Sequence, residues 1–276
     1  MHQFLISFLF IFSSGAVCAE EISSQAPAWS FPASISLVSD YIFRGQTQTW
    51  GKPALQLGIE ADHQSGFYTG VWASNVTSDW LPGASLEADI SAGFRKKFFN
   101  GLEADIGGTY IYYPGANFSQ IPNAHFPSTK LNAFEIYFNL RQDFWALKAG
   151  YMPTQYFGWN TGNTSVGPSF AGNPRAGVVG DTCGAFYYSA NVNHDWLTLS
   201  FGAEIGRQII PNTVDLDWTW YKFAASKNLA NSWSLGAFYT GTFGSQAYKN
   251  FVSLDNPNKT HNIDANKLVL TLTKNF

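Results

Sequence analysis

The chain has 276 residues and a formal net charge of −3, with only 13% charged residues against 17% aromatic ones. That charged share is about half of what a soluble domain carries, and a small negative net charge gives no reason to expect a nucleic-acid partner. Beyond the N-terminal twenty residues no apolar run approaches the ~18 residues of a transmembrane helix, so any membrane crossing must use strands of roughly nine to eleven residues.

Phe4 to Phe12 is an apolar stretch, followed by Ser13, Ser14, Gly15 and Ala16 and then by Val17-Cys18-Ala19 ahead of Glu20. Small residues after a short apolar core read as a signal peptide cleaved after Ala19. The expected organisation is a leader over 1–19, an N-terminal periplasmic segment over 20–32 and one β-domain over 33–276. Loss of the leader removes Cys18 and leaves Cys183 as the sole cysteine, so the mature chain offers no intramolecular disulfide and no thiolate metal site. No cofactor is implied.

Strand follows strand along the domain, each recognised by period-2 alternation. Residues 33–43 set Ile35, Leu37, Tyr41 and Phe43 against Ser34, Ser36 and Asp40, and residues 54–63 set Leu55, Leu57, Ile59 and Ala61 against Gln56, Glu60 and Asp62. Phe67, Val71 and Ala73 oppose Tyr68, Trp72 and Ser74; Leu86, Ala88, Ile90, Ala92 and Phe94 oppose Glu87, Asp89, Ser91 and Arg95; Leu102, Ala104, Ile106, Tyr110 and Tyr112 oppose Glu103, Asp105 and Thr109. The second half repeats the plan in 134–141, 145–151, 186–192, 197–205 and 233–243, with a strand at 218–226 whose facing the pattern leaves open. In the last strand Leu268, Leu270, Leu272 and the terminal Phe276 share one face, broken once by Lys274.

The connections alternate in length. Gln64-Ser65-Gly66, Phe99-Asn100-Gly101, Gln142-Asp143, His194-Asp195 and Asn228 to Asn231 are tight turns, and long segments separate the remaining strands, the longest being 153–183. Short turns at one end, long loops at the other, alternating apolar and polar faces and a C-terminal aromatic are the marks of an outer-membrane barrel. The expected fold is all-β: a transmembrane antiparallel up-and-down β-barrel of about twelve strands, with short periplasmic turns and long extracellular loops. A soluble lipocalin-like barrel would alternate equally well but with its apolar face inward. Low charge, lopsided loops and aromatics gathered at both strand ends favour the lipid-facing reading.

Gly66 and Gly101 each end a turn in the residue that accepts a left-handed conformation, which suits a three-residue hairpin loop. For the second hairpin this sets Phe98 opposite Leu102, Lys97 opposite Glu103 and Arg95 opposite Asp105, and predicts two cross-strand ion pairs. A two-residue turn would turn those charges toward lipid, at a cost of roughly 2–4 kcal/mol for each Lys or Arg near the midplane.

The candidate pore-lining residues are Asp40, Arg44, Glu60, Asp62, Glu87, Asp89, Arg95, Glu103, Asp105, Glu135, Arg141, Lys148 and Glu204. Three Glu-Ala-Asp triplets, at 60–62, 87–89 and 103–105, place paired carboxylates on polar faces. Such pairs serve either to salt-bridge the inward bases, Lys222 among them, or to bias a pore toward cations; as general acid–base pairs they have no supporting motif. Trp159, Phe170 and Arg175 are candidates for a substrate-selective constriction in the long loop, or simply order it. His63-Gln64-Ser65 resembles the His-x-Ser of outer-membrane phospholipase but occupies a periplasmic turn, and His125 and His261 with a loop Asp are the only residues suggesting an outer-membrane protease.

The stretch Ser39-Asp40-Tyr41-Ile42-Phe43-Arg44-Gly45-Gln46-Thr47-Gln48-Thr49, followed by Pro53-Ala54-Leu55-Gln56, Gly66-Phe67-Tyr68 and Gly70-Val71-Trp72-Ala73-Ser74-Asn75-Val76, resembles the TorF family of porin-like proteobacterial proteins, also carried under a Gcw label. The likeness is specific over residues 35–113 and loose thereafter, and the segment 153–183 is longer than that family leads one to expect. It implies an outer-membrane barrel with a channel role and no catalytic residues.

The expected function is a porin-like channel in the outer membrane of a Gram-negative bacterium, passing small hydrophilic solutes by diffusion with a lean toward cations, as a monomer or a trimer. Its expected partners are outer-membrane lipid, the barrel-assembly machinery acting on the C-terminal strand, and those solutes. Twelve strands about 4.8 Å apart and tilted near 40° enclose a backbone cylinder roughly 24 Å across, wide enough for small solutes only. The alternatives are an outer-membrane enzyme of lipase or protease type and a non-conducting structural or adhesive barrel with a plugged lumen.

Overall fold

The structure, a computed structural model, describes residues 27–166 and 175–276. The expected leader and Phe170 lie outside the described residues.

Twelve antiparallel strands form a closed barrel: β1 (Ala33–Val38), β2 (Ala54–His63), β3 (Phe67–Asn75), β4 (Leu86–Lys97), β5 (Glu103–Tyr112), β6 (Ala133–Gln142), β7 (Trp145–Met152), β8 (Ala185–Trp196), β9 (Leu199–Ile209), β10 (Trp218–Asn228), β11 (Trp233–Phe243) and β12 (Lys267–Asn275). Each pairs with the next in sequence, and β12 closes on β1 through pairs running from Thr271↔Val38 to Asn275↔Ser34. Trp29–Ser30 extends β1 in the same register, since Trp29↔His63 and Ser30↔Asp62 continue the ladder begun at Ala33↔Ile59. Pro32, which has no N–H to give, interrupts the ladder, although its carbonyl still accepts from Glu60 N at 3.0 Å. Closure leaves no sheet edge, the condition for strands to cross a hydrocarbon layer with every backbone group paired.

Side-chain alternation sorts cleanly. Leu57, Ile59, Val71, Ile90, Ile106, Ile136, Leu147, Ile205, Leu235 and Leu270 are exposed on the outer surface, a continuous apolar belt far beyond what a soluble monomer leaves in water. The facing that the sequence leaves open in β10 is settled by burial: Trp218, Trp220 and Lys222 point inward, while Phe223 is 58% exposed on the outside. Both faces carry aromatics, so hydrophobicity alone could not separate them. Lys274 on the lipid face turns its ammonium to the turn carbonyl of Asn231 at 2.5 Å and lies 5.3 Å from the Phe276 ring, the usual way for a long basic side chain near an interface to keep its head in polar surroundings.

The turns hold most of the expected registers. Phe98 N donates to Leu102 O at 2.8 Å, Gly101 has φ +83°, and Arg95↔Asp105 and Lys97↔Glu103 are opposed, as the three-residue loop requires. The ion pairs differ. Arg95 reaches across to Glu60 (3.2 Å) and Asp62 (3.4 Å) on β2 and approaches Glu103 only to 3.8 Å, while Glu103 pairs with Arg141 at 2.8 Å. Inside a barrel a long guanidinium can choose among carboxylates on several strands, so opposition on the ladder does not dictate the partner. The turn expected at His194-Asp195 falls later, at Leu197-Thr198, because Asp195 opposes Ser200 and accepts its hydroxyl at 2.5 Å, a cross-strand pair that keeps both residues extended.

Two aromatics that the alternation of 33–43 assigns to the lipid-facing side are not on it. Tyr41 is buried inside the barrel and Phe43 packs edge-on to Phe157, ring centres 6.1 Å apart. The strand expected over 33–43 ends at Val38, and the chain then bends into the lumen. Above it, loop residues build an apolar core within the outer half of the barrel. Trp80 meets Phe251 at 4.8 Å, Trp159 at 6.2 Å and Tyr248 at 6.3 Å, all near perpendicular, an arrangement that aromatic pairs favour.

Candidate functional site: the plugged lumen and its vestibule

After Val38 the chain forms a small hairpin inside the barrel, with Ile42 opposite Thr47 and Phe43 opposite Gln46. Its two-residue turn is Arg44-Gly45, with φ of +48° and +85°, the double left-handed conformation of a type I′ turn. Gly45 is needed for space as well as for φ. A Cβ there would lie 2.6 Å from the Thr242 methyl and 2.9 Å from Trp220 Cβ, so the tip of the hairpin abuts the opposite wall.

The base of the hairpin is fixed by Asp40, which accepts from Thr47 Oγ1 (2.5 Å) and Thr49 Oγ1 (2.9 Å) and pairs with Lys267 Nζ (3.2 Å). Tyr41 donates its hydroxyl to Glu87 at 3.1 Å. At the tip, Arg44 Nη2 meets Glu135 Oε2 at 2.5 Å and Nη1 donates to Gln208 Oε1 at 2.6 Å, while its guanidinium carbon lies 3.4 Å from the centre of the Tyr187 ring. Trp218 Nε1 returns a hydrogen bond to the Arg44 carbonyl at 2.8 Å. One arginine thus ties a hairpin rooted on β1 to β6, β8, β9 and β10, and that pair is buried on both sides. Removing either partner of a buried pair leaves an uncompensated charge.

The early strands are packed from within. Arg95 sits over the Tyr68 ring at 4.4 Å; Tyr68 donates to Asp105 Oδ1 at 2.7 Å and its hydroxyl also meets that of Tyr137. Asn139 donates to the other Asp105 oxygen at 3.0 Å. Gly93 makes room for this cluster, since a Cβ there would lie 2.4 Å from the Tyr68 hydroxyl. Glu60, Asp62, Glu87 and Asp105 are accordingly buried.

The later strands leave space. A cavity of about 470 Å³ is lined mainly by β6 to β12, with Ser36 and Val38 of β1, Lys97 of β4 and Glu103 of β5, and reaches down to the short turns; its roof is formed by Ile42, Arg44 and Gly45 of the hairpin with Tyr187 and Trp220. Glu204 spans its wall, accepting from Trp220 Nε1 at 2.9 Å and pairing with Lys222 at 2.9 Å. Lys148 faces it over the rings of Tyr137 (5.4 Å) and Tyr187 (5.6 Å).

Of the residues expected to form a constriction, Trp159 is buried in the outer aromatic core and Arg175 is exposed. The element that crosses the lumen is instead the 40–49 hairpin. Its signal was present as Arg44-Gly45 between short apolar and polar pairs, but the run Tyr41 to Phe43 continued the strand alternation and masked it. His63 Nδ1 lies 2.6 Å from Ser65 Oγ, a contact within an exposed periplasmic turn. Among the described residues no three His, Cys, Asp or Glu side chains are grouped to hold a metal ion.

Outside the membrane belt, Asp79 links two outer loops. It accepts from Ser253 Oγ at 2.6 Å and from Thr77 Oγ1 at 3.1 Å, and pairs with Lys259 at 3.6 Å. Burial pushes its carboxyl up, but the two hydroxyls and then the lysine outweigh this and hold it below its ordinary value of 3.8.

A closed twelve-stranded barrel, apolar outside and ionic inside, with short turns at one end and long loops at the other, defines an outer-membrane β-barrel of porin-like architecture. The chain belongs to the family described as bacterial protein of unknown function (Gcw_chp), whose family model matches residues 22–276. Among solved structures it is similar to a KdgM porin (10% identity, 89% of this chain and 99% of that one, TM-score 0.49) and to a NanC porin (9% identity, 88% and 98%, TM-score 0.48). A chain solved for a study of the in-meso crystallization of membrane proteins matches at TM-score 0.50, with 11% identity over 89% of this chain and 83% of that one. No curated protein matches.

Proposed function

We propose that this chain is a porin-like channel that passes small hydrophilic solutes by passive diffusion across the outer membrane of a Gram-negative bacterium, with the 40–49 hairpin as its constriction. The observation that carries the reading is the 470 Å³ vestibule, lined by charged and polar side chains inside a closed barrel and open toward the short turns. The hairpin is held by polar contacts rather than by a covalent link, so its displacement would join the vestibule to the outer loops. The resemblance of residues 35–113 to the TorF family agrees with this role.

Several finer parts belong to the same proposal: a leader over 1–19 removed after Ala19, a periplasmic segment over 20–32, assembly-machinery recognition of β12 and Phe276, and function as a monomer or trimer. With the hairpin displaced, nine inward acids (Asp40, Glu60, Asp62, Glu87, Asp89, Glu103, Asp105, Glu135, Glu204) against seven bases (Arg44, Arg95, Lys97, Arg141, Lys148, Lys222, Lys267) favour a cation lean. Trp159, Phe170 and Arg175 stay in this proposal as candidates for a substrate-selective constriction in the long loop. No catalysis is assigned.

The test is single-channel recording of the refolded chain in planar bilayers, with reversal potentials in a salt gradient. Steps that grow when Arg44 is replaced by Ala support the reading, and Glu87→Gln with Asp89→Asn should move the reversal potential toward anions. Bilayers silent for both wild type and Arg44→Ala, with insertion verified, would overturn it in favour of a non-conducting barrel, the reading that the buried Arg44–Glu135 pair favours.

A further inference from the structure

The vestibule differs in charge from the lumen as a whole. Its lining contains five bases, Arg44, Lys97, Arg141, Lys148 and Lys222, and three acids, Glu103, Asp143 and Glu204. Three of the bases are matched: Arg44 with Glu135, Arg141 with Glu103 and Lys222 with Glu204. Lys97 and Asp143 sit at the exposed mouth. Lys148 is different. It is half-buried in mid-strand, opposite Asn139 on β6 and Ser189 on β8, and no carboxylate of the described residues comes within ion-pair distance of its Nζ. The faces of Tyr137 and Tyr187 lie against it, and Glu135 and Glu204, each already paired with another base, act on it from beyond ion-pair distance. The Tyr187 hydroxyl donates to Glu135 at 2.7 Å, and the ring faces give the ammonium a weak electrostatic seat that supplies no lone pair to its three N–H donors.

We infer that the vestibule is a binding site for a small organic anion, a carboxylate-bearing solute entering from the periplasmic side, with Lys148 as the charged contact. The ammonium supplies donors aimed into a cavity of ligand size. The neighbouring pairs keep Arg141 and Lys222 engaged with their own carboxylates, so the site has one unmatched positive charge rather than a diffuse excess. Trp220 and Phe238 in the lining add an apolar flank for the carbon skeleton of such a solute. This inference rests on the channel reading for its biological sense, since it names what the vestibule accepts, but its test does not depend on conduction.

The experiment is calorimetric titration of the purified full-length chain in detergent with succinate as probe, and with glucose and ethanolammonium as neutral and cationic comparators. Saturable succinate binding that weakens with added salt, with neither comparator binding at the same concentrations, is the expected result. Lys148→Met should weaken succinate by about tenfold or more, the worth of a charge-assisted hydrogen bond. Lys148→Arg should stay within about threefold of wild type because the charge is kept, and Lys249→Gln on an outer loop should change nothing. Ethanolammonium binding as well as succinate, no saturable heat for succinate, or undiminished succinate binding in Lys148→Met would each overturn the inference. The first two need no variant and stand even if Lys148→Met fails to fold. Silent bilayers with Lys148-dependent binding would remove the channel reading alone; conducting bilayers without such binding would remove this inference alone.

Discussion

The two ends of the barrel interior solve opposite problems. The outer half is filled as a soluble domain is filled: Trp80, Trp159, Tyr248 and Phe251 interlock at right angles beneath the loops, and the 40–49 hairpin closes the floor of that core. The periplasmic half keeps a cavity of about 470 Å³ walled by ions and amides. One strand set therefore carries an apolar belt outside, a dry core inside its outer end and a wet chamber inside its inner end. Lipid supports the belt throughout, which frees the interior from having to be a core everywhere.

Variants at the two ends should separate sharply. Phe251→Ala, at a side chain with 0% exposure, is expected to cost about 3–5 kcal/mol as a large-to-small core change, whereas Thr271→Ala in the vestibule should stay within about 0.5 kcal/mol; urea unfolding in lipid vesicles measures both. Equal losses would mean that the outer half is no more a core than the inner.

Arg44→Ala tests the boundary between the halves. Leaving Glu135 buried without its partner should cost about 3–5 kcal/mol, and the same loss should release the hairpin and raise conductance severalfold. Glu135→Gln alone strands the Arg44 guanidinium and should cost about as much, whereas Arg44→Ala combined with Glu135→Gln, which removes both charges, should open the channel at a smaller cost in stability.

The belt is tested by neighbours on β12. Leu270→Arg, facing lipid, should destabilise by about 2–4 kcal/mol, and Thr271→Arg, one residue on and facing the vestibule, by clearly less. A reversed order would mean that the faces have been assigned backwards.

The smallest effect concerns pH. Because the Asp79 carboxyl is held below its ordinary 3.8, its contribution to the tie between the 76–85 and 244–266 loops is present above that value and is lost as pH falls through the lower value in the folded chain. Proteolysis of the 244–266 loop should therefore quicken on acidification below about pH 4, and Asp79→Asn should show the quickened rate already at neutral pH.

The barrel was largely legible in the sequence, because period-2 alternation and the Gly66 and Gly101 turns specify strand facing and register locally. The terminal run Leu268 to Phe276 and the Leu86 to Arg95 strand needed no partner to be read. What was not legible depended on contacts distant in sequence. Tyr41 and Phe43 extend the alternation of β1, and only Glu87, Phe157 and the far wall explain why they turn inward. Arg95 selects Glu60 over Asp105 for the same kind of reason. Among the charged positions expected on the lumen, the sequence could rank signs but not show that the early acids are sealed by Arg95, Tyr68 and Tyr41 while Lys148 faces open space.

The central claim is that a single barrel is sealed in its outer half and accessible from the periplasmic side in the other. Thiol labelling in vesicles tests it directly, in a Cys183→Ser background. Thr271→Cys, on the vestibule wall, should react quickly with a membrane-impermeant maleimide applied at the short-turn face, and Gln46→Cys, at a position 3% exposed within the hairpin, should react slowly from either face until Arg44 is also replaced by Ala. Rapid labelling of Gln46→Cys with Arg44 intact would contradict the account.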